Sequence, residues 1–265
     1  MPDATEIIAR ILFGVLLLLS VFAARTILVS RPYRRPLKFD WAVLAVALVF
    51  ISLQVTLPLL QLLLRRAEVA SEPPPAPSLR IDEAIMTHFV IIAVLISAIA
   101  VRPDNRPDDY GISFRGWLTE LRFGVLGFLA SFPLVLAVII VLGSFRKQET
   151  LNPLLILLNE TGSAWTIVGV IFAAVVSAPL AEELLFRVAL QGPLDARLPP
   201  AVSIAIPALV FAAVHGPYDA LPLLPLALVL GILYHQRRSY VATVTTHALF
   251  NATFLILALW QRGKP

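Results

Sequence analysis

The sequence predicts an all-α, polytopic membrane protein with about eight transmembrane helices. Of its 265 residues, 58% are hydrophobic and 14% are charged, whereas about a quarter of the residues of a soluble domain are charged. Because a helix needs about 20 apolar residues to cross a bilayer, eight such helices account for the apolar part of the chain. No alternating pattern of roughly ten residues indicates a membrane β-barrel. The composition excludes a soluble enzyme, a disordered chain and a fibrous protein.

Eight apolar runs are the candidate spans, and polar connections separate them. They are Ile7–Val29, Trp41–Leu64, Ile85–Val101, Phe123–Ser144, Trp165–Phe186, Pro200–Val214, Leu221–Tyr234 and Tyr240–Trp260. The sixth and seventh runs are the shorter ones, and residues 216–220 between them are predicted to form a tight turn. We expect one integral membrane domain, with spans one to three in residues 1–122 and spans four to eight in residues 123–265.

The distribution of Lys and Arg indicates the orientation of the spans. The loops after spans one, three, five and seven carry 13 of the 21 Lys and Arg residues, and the other side carries 8. The positive-inside rule then places both termini outside and the loop after span five in the cytoplasm. An amphipathic stretch around Trp117 is expected at the membrane interface, before span four. Since no basic stretch is interleaved with aromatic residues, no nucleic-acid partner is predicted.

Ionisable side chains inside the apolar runs are few, and most of them fall in three short motifs. Each such group costs about 2.5–3.5 kcal/mol at mid-membrane and therefore marks a candidate functional site. The motifs are Glu182-Glu183-x-x-x-Arg187 at the end of span five, Phe211-x-x-x-His215 at the end of span six and His247-x-x-x-Asn251 in span eight. The chain has no cysteine, which excludes disulfides and thiolate chemistry.

The spacing within span five predicts which side chains share a helix face. Glu183 and Arg187 are four residues apart, with the acid N-terminal to the base, as a favourable ion pair requires. Glu182 is rotated by about 100° from Glu183 and can face a different partner. The predicted orientation sets Glu182 near the cytoplasmic end of span five and His215 at the far end of span six. These two side chains can meet only if span six is buried, short or displaced, or if the predicted boundaries are wrong.

The three motifs, in this order and on successive hydrophobic segments, resemble the CPBP family. This family comprises CAAX proteases and bacteriocin-processing enzymes, is also called Abi, and consists of intramembrane glutamic endopeptidases. The resemblance covers Ala178 to Asn251, whereas spans one to four match only in their hydropathy. It implies that residues 123–265 form the catalytic core, with a cavity that opens to the cytoplasmic side.

The resemblance also implies roles for individual residues. Glu182 would be the general base that activates water, and His215 would hold and polarise that water. His247 and Asn251 would donate hydrogen bonds to the developing oxyanion. Glu183 and Arg187 would form a structural pair that fixes the helix end.

The implied substrate is a membrane-associated or prenylated protein or peptide, and no cofactor or metal is implied. The Arg-rich loops favour a bacterial cytoplasmic membrane, and the sequence leaves the oligomeric state open.

Several alternatives stay open at the level of sequence. A non-catalytic scaffold or a bacteriocin-immunity protein of the same family would keep the motifs for packing. A small transporter would use Glu182 and the histidines as a proton relay, although no internal repeat supports this reading. Glu182, Glu183, His215 and His247 can all ligate a metal, although no His-Glu-x-x-His motif is present. His88, in span three, belongs to no motif, and a structural role is predicted for it.

Overall fold

The structure is a computed structural model, and it describes residues 4–30, 39–67, 81–143 and 163–262. Within these ranges the chain forms eight long helices and no strand, which confirms the all-α class. The helices are α1 (Ala4–Val29), α2 (Trp41–Ala67), α3 (Ile81–Ala100), α4 (Trp117–Gly143), α5 (Ala164–Asp195), α6 (Pro200–Val214), α7 (Pro217–Arg237) and α8 (Tyr240–Arg262). The basic segment 31–38, which contributes to the predicted orientation, lies outside the described residues.

Six of these helices are long and apolar enough to cross a membrane, namely α1, α3, α4, α5, α7 and α8. The apolar parts of α2 and α6 are shorter, Trp41–Leu57 and Pro200–Val214. Large apolar side chains are exposed on the outer faces, including Leu18 and Ile256. A soluble domain would bury such surface, whereas a bilayer covers it. The predicted polytopic membrane class is confirmed.

Helix α5 is longer than the hydropathy pattern predicts, because it continues past Phe186 to Asp195. The added residues include two polar side chains that are fully buried and bonded within the protein. Arg187 contacts Glu183, and Gln191 donates to the Gly231 carbonyl at 2.8 Å. Pairing of this kind lowers the cost of burying polar groups, so the helix continues where hydropathy falls. The predicted end of span five is therefore wrong by nine residues.

Two other boundaries also differ from prediction. The predicted turn 216–220 is shorter, since only His215 and Gly216 separate α6 from α7. Gly216 has a φ of 85°, which glycine adopts without strain, and Pro217 begins α7, a position that proline favours. Helix α4 begins at Trp117, six residues before the predicted start of span four at Phe123.

The centre of α5 forms the core of the protein. Its residues Leu184–Gln191 are all buried, and α2, α3, α6, α7 and α8 contact α5. Leu185 and Phe186 belong to the same buried cluster as Val43 of α2 and Phe211 of α6. A helix that is buried on every side holds its polar residues at fixed positions, away from both lipid and water.

Helices α4 and α8 approach each other closely through two glycines. A methyl group at Gly124 or Gly127 would overlap Thr245 or Thr246 of α8. The absence of side chains lets Thr246 donate to the Gly124 carbonyl at 2.8 Å, across the helix interface. This contact fixes α8 at the residue next to His247.

A buried carboxylate joins the C-terminal end of α5 to α6 and α7. Asp195 accepts hydrogen bonds from Arg238 at 2.6 Å, His235 at 3.1 Å and Ser203 at 2.5 Å. Its side chain is fully buried. These contacts hold together the helix ends on the side of the loop after α5.

Candidate active site

Glu182 lies near the middle of α5, because the helix extends to Asp195. At 1.5 Å per residue, Glu182 lies about 20 Å from the C-terminal end of α5. Helix α6 runs antiparallel to α5, and His215 lies about 22 Å from the start of α6 at Pro200. The two side chains therefore meet at the same depth. The expectation that Glu182 lies near the end of span five is wrong, and the longer α5 removes the conflict with His215.

Glu182 faces two imidazole rings. Its Oε2 atom lies 3.6 Å from Nε2 of His215 and 3.9 Å from Nε2 of His247. Both distances exceed a hydrogen bond, and Oε2 is buried without a hydrogen-bond partner among the described residues. A buried carboxylate oxygen without a donor costs free energy, so this position favours a small molecule that donates to it.

Both imidazole rings are oriented through their Nδ1 atoms. Nδ1 of His215 lies 2.7 Å from the Phe211 carbonyl, and Nδ1 of His247 lies 2.9 Å from Oε1 of Glu183. Since a carbonyl and a carboxylate accept hydrogen bonds, each Nδ1 donates its proton. The Nε2 atoms are thus directed to Glu182. Phe211 packs against both rings, with ring centroids 4.5 Å and 5.8 Å away.

Glu183 and Arg187 form a fully buried ion pair, with Nε of Arg187 3.2 Å from Oε2 of Glu183. The pair lies inside α5 and not at its end, where the sequence interpretation put it. Because Glu183 also accepts from His247, it links the ion pair to the imidazole that faces Glu182. The Arg187 guanidinium lies over the Phe211 ring, 5.3 Å from its centroid, at the distance of a cation–π contact.

Asn251 lies one helical turn after His247, and its side-chain amide donates to the Ala174 carbonyl at 2.8 Å. Ala174 belongs to a π-helical turn of α5, Phe172–Ser177. One amide hydrogen of Asn251 is used in this contact, and an amide group carries two. Asn251 is not among the residues that line the cavity in front of Glu182.

A cavity in front of Glu182 is formed by three helices besides α5. Its lining residues are Gln54, Thr87, His88, Ile91, Glu182, Phe186, Val214 and His215. Helices α2 and α3 therefore contribute polar side chains that no motif indicated. The signal for His88 was present in the sequence, as an ionisable side chain within a span, but its spacing could not indicate which helix face meets the cavity.

The described residues contain no group of three or more His, Asp or Glu side chains arranged to hold a metal ion.

Residues 163–253 match the family model of the type II CAAX prenyl endopeptidase Rce1-like proteins. This part of the chain is similar to the Rce1-like domain. The match covers about a third of the chain and contains all three motifs, so the resemblance to the CPBP family is confirmed. No curated protein and no solved structure matches the chain.

The matched residues include Glu182, His215, His247 and Asn251. The matched family model describes type II CAAX prenyl endopeptidases, which suggests a protease. Gln54 and His88, on the facing wall of the cavity, lie outside the matched residues.

Proposed function

We propose that this protein is an intramembrane endopeptidase of the CAAX prenyl protease type, which hydrolyses peptide bonds with a water molecule activated by Glu182. The observation that carries the proposal is the Glu182 carboxylate oxygen, buried without a donor and flanked by the Nε2 atoms of His215 and His247. A water molecule at this point donates one hydrogen to Glu182. With Nδ1 of His215 donating to a carbonyl, the neutral ring accepts the other hydrogen at Nε2.

The hydrolysis follows from this arrangement. The water oxygen bonds to the substrate carbonyl carbon while Glu182 takes the proton that the water loses. The carbonyl oxygen becomes an oxyanion, and the C–N bond then breaks. Glu182 returns its proton to the leaving nitrogen, so that one carboxylic acid and one amine are produced from one peptide bond and one water.

His247 and Asn251 are the proposed donors to the oxyanion. Asn251 has its second amide hydrogen for this contact, since the first is bonded to Ala174. His247 donates from Nε2 in its doubly protonated form, in which Nδ1 stays bonded to Glu183. Donors that are fixed before the reaction need no reorganisation as the negative charge develops. Glu183 and Arg187 act on the reaction through His247 and are positioning residues.

The proposed substrates are membrane-associated or prenylated proteins or peptides. The depth of Glu182 within α5 and the exposed apolar faces of the surrounding helices suit a substrate held at the bilayer. The Lys and Arg distribution favours a cytoplasmic loop after α5, and we propose a cytoplasm-facing site in a bacterial cytoplasmic membrane.

The experiment that tests this function is cleavage of a quenched fluorescent, prenylated CAAX-type peptide by the detergent-purified protein. Glu182→Gln removes the base while it keeps the shape of the side chain. We expect it to lower kcat by about 10²–10⁴-fold. Glu120→Gln is the matched control, because Glu120 pairs with Arg237 outside the cavity. Mass spectrometry of the products locates the cleaved bond.

Two outcomes of this experiment contradict the proposal. Full activity of Glu182→Gln excludes glutamate catalysis, and loss of wild-type activity with a chelator makes a metal the catalyst. A folded wild-type protein that cleaves no peptide of a broad panel favours the alternative function, a non-catalytic scaffold or immunity protein of the same family.

A further inference from the structure

Helix α3 contributes a histidine to the cavity that the proposed hydrolysis does not use. His88 lines the same cavity as Glu182 and His215, on the wall formed by α2 and α3. It lies outside the residues that match the Rce1-like family. A histidine inside a span faces a partner or a water-filled space because lipid does not solvate it. Here it has both a partner and the cavity.

Ser177 fixes the orientation of His88. Nδ1 of His88 lies 2.9 Å from the Ser177 hydroxyl oxygen, and that hydroxyl donates its one hydrogen to the Ala173 carbonyl at 3.2 Å. The oxygen therefore accepts from His88, and Nδ1 carries the proton. In the neutral ring, Nε2 is then a hydrogen-bond acceptor. Ser177 is buried and does not line the cavity, so this pair is not a serine nucleophile with its base.

The wall around His88 carries two polar, uncharged neighbours, Gln54 and Thr87, and the apolar Ile91. Gln54 of α2 lines the cavity and carries both a donor and an acceptor. Thr87 donates its hydroxyl hydrogen to the Glu83 carbonyl, so its oxygen can only accept. The Glu182 carboxylate in the same cavity disfavours a second anion. A peptide backbone, which offers N–H donors and carbonyl acceptors without charge, complements this wall.

We propose that His88 is a substrate-binding residue whose Nε2 atom accepts a hydrogen bond from a backbone N–H of the peptide next to the cleaved bond. Gln54 binds the adjoining peptide unit on the same wall. The substrate enters this subsite as an extended segment, because the N–H groups within a helix are already bonded. The proposal rests on the proposed function and adds to it the conformation of the substrate and the wall that holds it.

An amide-to-ester scan of the cleaved peptide tests this hydrogen bond. In each peptide of the series, an ester oxygen replaces one backbone N–H near the cleaved bond, and the cleaved bond itself stays an amide. At one position we expect the ester to lower kcat/KM of the wild-type protein by about 3–10-fold. This factor corresponds to the free energy that one neutral hydrogen bond contributes. His88→Ala lowers kcat/KM for the parent peptide by a similar factor and removes the effect of that ester.

Two further variants separate binding by His88 from a purely structural contact. Ser177→Ala leaves His88 in place but removes the acceptor that fixes its proton on Nδ1, and it should weaken the same ester effect. His235→Ala is the matched control, since His235 binds Asp195 outside the cavity, and it should keep the full ester effect. Thermal unfolding in detergent shows which variants are folded.

The scan separates failure of this inference from failure of the proposed function. If wild-type protein cleaves every ester peptide as fast as the parent, or if His88→Ala shows the same ester effect as wild type, the subsite is wrong while Glu182-dependent cleavage stands. If no peptide is cleaved in a Glu182-dependent manner, both proposals are overturned. Should His88→Ala fail to fold, the wild-type and Ser177→Ala scans still decide.

Discussion

The side-chain amide of Asn251 bonds a backbone carbonyl that the helix itself leaves without a donor. This carbonyl belongs to Ala174, and Asn251 reaches it at 2.8 Å. The amide of Ala178 bonds Ala173 instead, and Pro179, the next residue in reach, has no N–H. Asn251 thus replaces the donor that Pro179 lacks, and it ties α8 to α5 within two turns of Glu182.

Replacement of Asn251 separates this structural contact from the proposed oxyanion contact. We expect Asn251→Leu to lower stability by about 1–3 kcal/mol, because the Ala174 carbonyl loses its donor. We also expect it to lower kcat by about 10²–10³-fold, the usual effect of a lost oxyanion donor. Unfolding in detergent and peptide cleavage measure the two effects.

Pro179→Ala is the control for this variant, since it gives the Ala174 carbonyl a helical donor. In the double variant, stability should recover while kcat stays low. Recovery of kcat together with stability would mean that Asn251 acts only through the backbone of α5.

The buried pair of Glu183 and Arg187 provides a second test. Glu183→Leu leaves a buried guanidinium without its counter-ion, and we expect a loss of about 3–5 kcal/mol in stability. Adding Arg187→Met makes the site apolar, which is often neutral for stability, so the double variant should unfold near the wild-type temperature. Its activity should stay low because Nδ1 of His247 has lost its acceptor. If activity returns with stability, Glu183 does not orient His247 for the reaction.

The sequence predicts the pairs within each helix better than the contacts between helices. A spacing of four residues brings Glu183 next to Arg187 in any regular helix, and the structure has this contact. The depth of Glu182 depends on where α5 ends. The predicted span ends directly before Arg187, because a hydropathy scale counts an arginine as charged whether or not it is paired. The position of His88 against the cavity depends on the rotation of α3, which the surrounding helices set.

The close approach of α4 and α8 makes Gly127 sensitive to substitution. A valine at this position would overlap Thr246, which neighbours His247, and α8 would have to move. We expect Gly127→Val to cost about 1–3 kcal/mol in stability, as overpacking does, and to lower kcat while KM changes little. Gly14→Val is the control, because a Cβ atom at Gly14 meets nothing within 4 Å. Equal effects of both valines on kcat would contradict a role of this interface in placing His247.

A buried aspartate outside the membrane-spanning segments gives a pH-dependent prediction. The Asp40 carboxylate accepts from the backbone amides of Ala42 and Val43 at the start of α2, from the Tyr110 hydroxyl at 2.9 Å and from Asn105 at 3.2 Å. Desolvation by burial acts to raise the pKa of Asp40, but these hydrogen bonds outweigh it and lower the pKa below its ordinary value. The ionised form therefore stabilises the fold.

The stabilisation by Asp40 should disappear in acid. Because its pKa is lower in the folded protein than in the unfolded chain, the stabilisation is complete above the unfolded pKa of about 3.9 and is lost as the pH falls through the folded value. We expect Asp40→Asn to cost about 1–2 kcal/mol at pH 7, since hydrogen bonds to a charged group are the stronger ones. Thermal unfolding in detergent from pH 7 down to pH 3 measures the difference, which should be constant to about pH 5 and then shrink. A deficit of Asp40→Asn that is unchanged at pH 3 would show that Asp40 stabilises the fold without its charge.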